Sequence, residues 1–172
     1  MVNDRKERKV LLRPVNPLFI LLTLVAAMVL NFIPLKPVVW RPDILAVVLV
    51  FWCIHEPKRL HFSVAFFLGL VMDVHNTELL GQNALAYVLI CLVAVGGSRR
   101  ILWFDLKRQV LHVLPIFILL HTVSIFVHWV KGDVGLSTMV LIAPLIESAL
   151  WVVADFVLLA PQRRAPDKKG AL

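Results

Sequence analysis

The 172-residue chain has little of what a soluble enzyme is built from. Charged residues make up only 17% of it, 11 residues are acidic, and there is a single tyrosine. The polar stretches between its apolar runs are too short to form a separate soluble domain, so any binding or chemistry belongs to the apolar body or its loops. Cysteine is nearly absent: Cys53 and Cys91 each lie inside an apolar run with no second cysteine beside them. That spacing excludes a CxxC redox or zinc motif, and the expectation is two buried free thiols acting as small hydrophobes. There is no GxSxG elbow, no P-loop glycine-lysine run, no HExxH and no DxDxDG loop. His, Ser and Asp occur, but on separate apolar segments with no spacing that assembles a nucleophile with its base. The residues therefore predict no catalytic, cofactor-binding or metal site. Internal repeats are missing too, and an inverted-repeat transporter of the usual kind needs more chain.

What is present is hydrocarbon. A hydrophobic fraction of 60% and a mean hydropathy of +0.86 stand well above the roughly 45–50% apolar content of soluble domains. Six apolar runs fit the length at about 20 residues per span. The fold class predicted is all-α, a polytopic membrane bundle of six transmembrane helices. Charge orients it. Arg5, Lys6, Arg8, Lys9 and Arg13 precede the first run, Lys58 and Arg59 lie between the second and third, Arg99, Arg100, Lys107 and Arg108 between the fourth and fifth, and Arg163, Arg164, Lys168 and Lys169 after the sixth. These alternate segments hold 15 of the 18 Lys and Arg residues, leaving Lys36, Arg41 and Lys131 for the others. Positive loops stay on the cytoplasmic side, so both termini are expected inside a plasma or inner membrane. The net charge of +7 then belongs to span ends facing anionic headgroups, and no nucleic-acid partner is expected.

The predicted organisation is a basic cytoplasmic tail over 1–16, a transmembrane domain over 17–160 and a second basic tail over 161–172. The first apolar run follows a basic stretch, as in a signal peptide, but lacks a small-x-small cleavage site before Pro34 and reads as a retained span. Spans are expected at about Pro17–Leu35, Pro42–His55, from after His61 to about Val74, Leu80–Val95 with a stop at Gly96-Gly97, Val110–Val130, and Ser137–Leu159. The second is short: its 14 residues reach about 21 Å against a hydrocarbon core of about 30 Å. Either it starts earlier, near Val38, or spans two and three form a shallow re-entrant hairpin. Burying Lys58 and Arg59 would cost roughly 2.5–3.5 kcal/mol each, which favours full spans.

Ionisable residues within apolar runs are candidate sites. His121 and His128 are seven apart on one face of the fifth span with Ser124 between them, whereas His112 is turned about 180° away. No HxxxH pair occurs, so interhelical hydrogen bonding is expected rather than a metal. Glu147, Trp151 and Asp155 recur every four residues along one side of the sixth span. Asp155 lies near headgroup water, while the deeper Glu147 needs a partner, for which His121 or His128 is the obvious donor. The loop from Gly69 through Asp73, Gly81 and Gln82 to Asn83 lacks Lys and Arg and is rich in hydrogen-bonding groups. Two readings stand: helix ends at Asp73 and Asn76 with a turn at Gly81, or an outer binding surface anchored by Asp73.

Several of these segments, taken in order, resemble a known family. Arg41-Pro42-Asp43 opens the second span and Phe51-Trp52-Cys53 closes it; Gly69-Leu70-Val71-Met72-Asp73 and Leu80-Gly81-Gln82-Asn83-Ala84-Leu85-Ala86 follow. The chain is similar to the rod shape-determining MreD family, in detail from about Arg41 to Ala86. The resemblance implies a six-helix bundle like the substrate-binding S-components of energy-coupling-factor transporters. It implies a non-enzymatic inner-membrane role in cell elongation and lateral peptidoglycan synthesis, with no cofactor. It also implies association with MreC, and through MreC with MreB, RodA and a penicillin-binding transpeptidase. On that basis Arg41, Pro42, Asp43, Asp73, Gly81 and Gln82 are candidate partner-binding or structural residues. The runner-up is a small-molecule-binding or transport subunit with an outward polar cavity built from His75, Gln82, Asn83 and Glu147.

Overall fold

A computed structural model of the chain describes residues 16–33, 42–76, 79–132 and 142–160. Among these residues there are six α-helices and no strand: α1 Pro17–Phe32, α2 Ile44–His55, α3 Phe62–Asn76, α4 Gln82–Ile101, α5 Leu106–Val130 and α6 Ala143–Leu159. Two of them, α4 and α5, are long and apolar enough to cross a membrane on those criteria alone.

Local chemistry sets the starts. Asn16 caps α1, its side-chain oxygen accepting from the Leu18 N–H at 3.1 Å, with Pro17 in the first turn where no amide is needed. Asp43 caps α2 in the same way, accepting from the Ala46 N–H at 2.9 Å from an extended backbone. That cap places the beginning of α2 at Ile44, while Val38 lies outside the described residues. The helix is 12 residues, or about 18 Å, and apolar on every side. Such a helix belongs inside: Leu45 to Val47 and Leu49 to Ile54 are all buried. α1, α4 and α6 surround it, α3 packs on α4, and α5 lies between α4 and α6. By contrast, Leu18, Leu21, Leu22, Val25 and Val29 of α1 face outward.

Several boundaries differ from the sequence expectation: α1 ends at Phe32 rather than Leu35, α6 starts at Ala143 rather than Ser137, and α4 and α5 are both longer. The fourth helix does not stop at Gly96-Gly97 but continues to Ile101. Two mid-helix glycines cost about 1 kcal/mol each relative to alanine. The turn beyond them is anchored by buried Ser98 and Ile101, and the Ser98 hydroxyl bonds back to the Val95 carbonyl at 2.8 Å. The fifth helix starts at Leu106 rather than Val110, its first turn carrying Lys107 and Arg108 on the exposed side. It also passes through Pro115. Of the expected boundaries, Leu35 and Ser137 lie outside the described residues.

The core packs large rings around α2. Phe51, Trp52, Tyr87, Phe117 and Trp151 are fully buried, and each indole N–H has an acceptor. Trp52 donates to the Thr23 hydroxyl at 2.9 Å and Trp151 to the Gln109 side-chain oxygen at 3.3 Å. One expectation needs correcting here. Cys53 and Cys91 are buried free thiols, but they are not apart: α2 and α4 bring the two sulfurs to 2.8 Å. Their 38-residue separation hid a contact that depends on the register between two helices.

Candidate functional site

The polar residues gather at one end of the bundle, where α1 and α3 finish and α2, α4 and α6 begin. An α-helix leaves its first amides without internal partners, and those of α2 and α4 start in a buried place. At α2, Asp43 Oδ1 accepts from Ala46 N and from Asn31 Nδ2 of α1 at 2.7 Å. The Asn31 oxygen turns back to accept the Ile44 N–H at 3.2 Å. The Tyr87 hydroxyl of α4 donates to Asp43 Oδ2. The amide of Asp43 itself donates to Glu147 Oε1 of α6 at 2.9 Å. Glu147 is 0% exposed and also receives His121 Nε2 of α5, at 3.0 Å to Oε1 and 3.1 Å to Oε2. One helix start thus joins α1, α2, α4, α5 and α6.

The second helix start is held by Asp73. From the end of α3, its Oδ1 accepts the Asn83 N–H at 2.7 Å, and its Oδ2 accepts those of Gly81 at 2.8 Å and Ala84 at 3.4 Å. The fourth amide, of Gln82, reaches the Leu79 carbonyl at 3.1 Å. A carboxylate at each of two helix N-termini also faces the positive end of the helix dipole. Gly69, one turn before Asp73, makes the approach close enough: a Cβ there would sit 2.3 Å from the Ala84 Cα. Gly81 has φ +102, in the left-handed region that favours glycine. The GxxxD and LGQN segments are therefore two halves of one joint.

The predicted residues fall into place unevenly. Asp73 is 1% exposed, and its carboxylate is turned on the first amides of α4. Gln82 is likewise buried rather than on the outer surface. Its amide nitrogen donates to the Ser124 hydroxyl at 3.0 Å, while its carbonyl oxygen has no hydrogen-bond partner among the described residues. Pro42 is half-buried beside Asp43, and Arg41 lies outside the described residues. His128 shares the inward face with His121, but the contacts to Glu147 come from His121. His112 faces away, its Nδ1 on the Arg108 carbonyl at 2.8 Å and its ring stacked on Phe104. Asp155, which its place along the sixth run puts near headgroup water, is instead buried, along with Glu147 and Trp151, on the inner face of α6.

Of the residues that would build an outward cavity, His75, Gln82, Asn83 and Glu147, not all turn to one place. Gln82 and Glu147 turn on Ser124, His121 and Asp43, whereas His75 is exposed with its ring 4.3 Å from that of Phe32. A cavity of about 120 Å³ does open at this end, lined by Asn31, Pro42, Asp43, Met72 and Asn76. Two members of the junction were absent from the sequence reading. Asn31 is the one amide side chain of the first apolar run, and Tyr87 is the only tyrosine in the chain. Each was a polar group within hydrocarbon and could have been flagged on that ground alone.

These features define a class: a small all-α bundle of membrane type, whose buried Asp43, Asp73 and Glu147 are spent on joining its own helix ends. Among the described residues there is no grouping of three or more His, Cys, Asp or Glu side chains fit to hold a metal. The chain belongs to the MreD family: the model for rod shape-determining protein MreD matches residues 8–161. This is a family of membrane proteins concerned with rod shape. No curated protein and no solved structure matches the chain.

Proposed function

We propose that the chain is a non-enzymatic, six-span component of the bacterial inner membrane that serves cell elongation by binding partner proteins, MreC first among them. Through MreC it acts with MreB, RodA and the penicillin-binding transpeptidase of the lateral wall. In this reading residues 17–160 form the membrane domain, with a fold of the S-component kind, and the basic tails 1–16 and 161–172 are cytoplasmic. The observation that carries the reading is the family match over residues 8–161. The junction supports it, because Asp43, Asp73 and Glu147 are occupied by helix ends and by His121. What such a bundle offers a partner is the fixed shape of its helix faces and loops.

The test is affinity purification from native membranes in mild detergent, with partners identified by mass spectrometry. MreC and wall synthases are expected. Asp73→Ala is expected to lower their recovery severalfold without abolishing insertion, because α4 loses the cap that fixes its outer end. Unchanged recovery at equal expression would remove Asp73 from the interface's supports. The second reading, a small-molecule-binding subunit, draws on the cavity beside Asp43. Saturable binding of a small solute by the purified protein, with transporter ATPases recovered in place of MreC, would favour it.

A further inference from the structure

At the opposite end of the bundle, the turn between α4 and α5 is built more firmly than a connection requires. Residues 102–105 are closed by backbone bonds from Leu102 to Ser98 at 3.0 Å, Trp103 to Arg100 at 3.3 Å and Phe104 to Ile101 at 3.2 Å. Gln109, only 9% exposed, clamps it from beneath. Its Nε2 donates to the Phe104 carbonyl at 3.0 Å while its Oε1 accepts from Trp151 of α6 at 3.3 Å. The Phe104 ring is held against His112 at 4.4 Å. This rigid turn points its most hydrophobic side chain outward: Trp103 is 93% exposed and Leu102 42%. Arg99, Arg100, Lys107 and Arg108 flank them, all exposed, with Asp105 the one acidic residue among them. Among the described residues, no ion pair engages any of the four cations.

We propose that this turn is a binding site for anionic phospholipid, with Trp103 and Leu102 seated at the headgroup–acyl boundary and the four cations on headgroup phosphates. The inference rests on reading α4 and α5 as membrane spans, which places the turn between them at headgroup depth. An indole prefers that depth because one edge is apolar and the other can hydrogen-bond. The cations supply the selectivity, since each Lys or Arg near an anionic surface favours binding about fivefold. A soluble acidic partner would satisfy the four cations but gives no reason for a fixed, outward indole. The other turn at this end is a natural control. It carries exposed Lys58 and Arg59 but no tryptophan, and Arg59 is paired with Glu56 at 3.4 Å.

The experiment offers the purified full chain an equimolar mixture of phosphatidylglycerol and phosphatidylcholine and counts retained lipids by native mass spectrometry. The wild type is expected to favour phosphatidylglycerol. Lys107→Gln with Arg108→Gln is expected to lower that preference at least tenfold, Trp103→Ala severalfold, and Lys58→Gln least of the three. As an independent readout, the emission difference between wild type and Trp103→Phe in phosphatidylglycerol nanodiscs should be quenched by shallow-brominated acyl chains. Equal retention of the two lipids by wild type, or a Trp103 signal untouched by brominated lipid, would overturn the proposal. So would loop variants that lose affinity for a polyglutamate peptide while keeping the lipid preference, which would make the turn a docking surface for acidic protein. Release of the chain from vesicles by alkaline carbonate would instead remove the spanning reading. Firm insertion with no lipid preference would remove only the site.

Discussion

The two halves of α2 are held in different ways. Its first turn is bound by directed hydrogen bonds: Asn31, Tyr87 and Glu147 from three other helices converge on Asp43 and its neighbouring amides. From Leu49 to Ile54 every residue is buried, and the side-chain hydrogen bonds that leave the helix there are those of Trp52 to Thr23 and of Cys53 to Cys91. Hydrogen bonds demand particular atoms at particular distances, whereas packing demands volume and tolerates exchange of similar shapes. In a bilayer the contrast sharpens, because lipid tails are as apolar as the helix faces and burial gives little drive to associate. The polar half fixes which helices meet and in what register. The apolar half then fills the space so defined.

Removing the hub of the polar half is expected to cost most. Asp43→Ala strips the cap from α2 and leaves Asn31 and Tyr87 without their acceptor, at about 3 kcal/mol. Thermal unfolding in detergent should show it, and a melting temperature close to wild type would mean the junction is ornamental. Within the apolar half, Leu49→Ala leaves a cavity beside α2 and should cost about 2 kcal/mol, while Leu49→Met costs much less. If the two behaved alike, volume would not be what holds this region, and the contrast with Asp43 would collapse. Gly69→Ala should cost roughly 1–3 kcal/mol, because its Cβ meets the Ala84 backbone and nothing flexible can yield. Gly96→Ala sharpens the same point with the opposite sign. A Cβ there meets nothing within 4 Å, so the gain in helix propensity should stabilise α4 by roughly 0.5–1 kcal/mol. Parallel melts of the two alanine variants that moved in the same direction would break this account of the α3–α4 joint.

Much of this was legible in the sequence, but by kind rather than by partner. Hydropathy and proline positions located the helices, and the four-residue spacing of Glu147, Trp151 and Asp155 marked the inner face of α6. The seven-residue spacing of His121 and His128 offered two donors for Glu147 and could not choose between them, since that depends on the vertical offset of α5 against α6. Contacts between distant segments were invisible for the same reason. Cys53 meets Cys91, and Gln109 meets Trp151, only once register is set. Gly96-Gly97 misled because glycine reports local cost alone, and the burial of Ser98 and Ile101 that offsets the cost is tertiary. For Asp73 the sequence could place an acid near a turn, but not show that its oxygens would be taken up by the amides of α4.

The bond from the Asp43 amide to Glu147 spans 104 residues, and it ties the start of α2 to α6, which is synthesised long after it. A nascent chain that has delivered α1 to α4 can already place Asn31 and Tyr87 around Asp43. Until α6 arrives, however, one amide of that junction and the imidazole of His121 lack the carboxylate that joins them. The junction is therefore complete only when α6 is in place. A chain truncated before Glu147 would present the cell's membrane proteases with an unfinished polar seam, while the completed chain closes it with a single side chain.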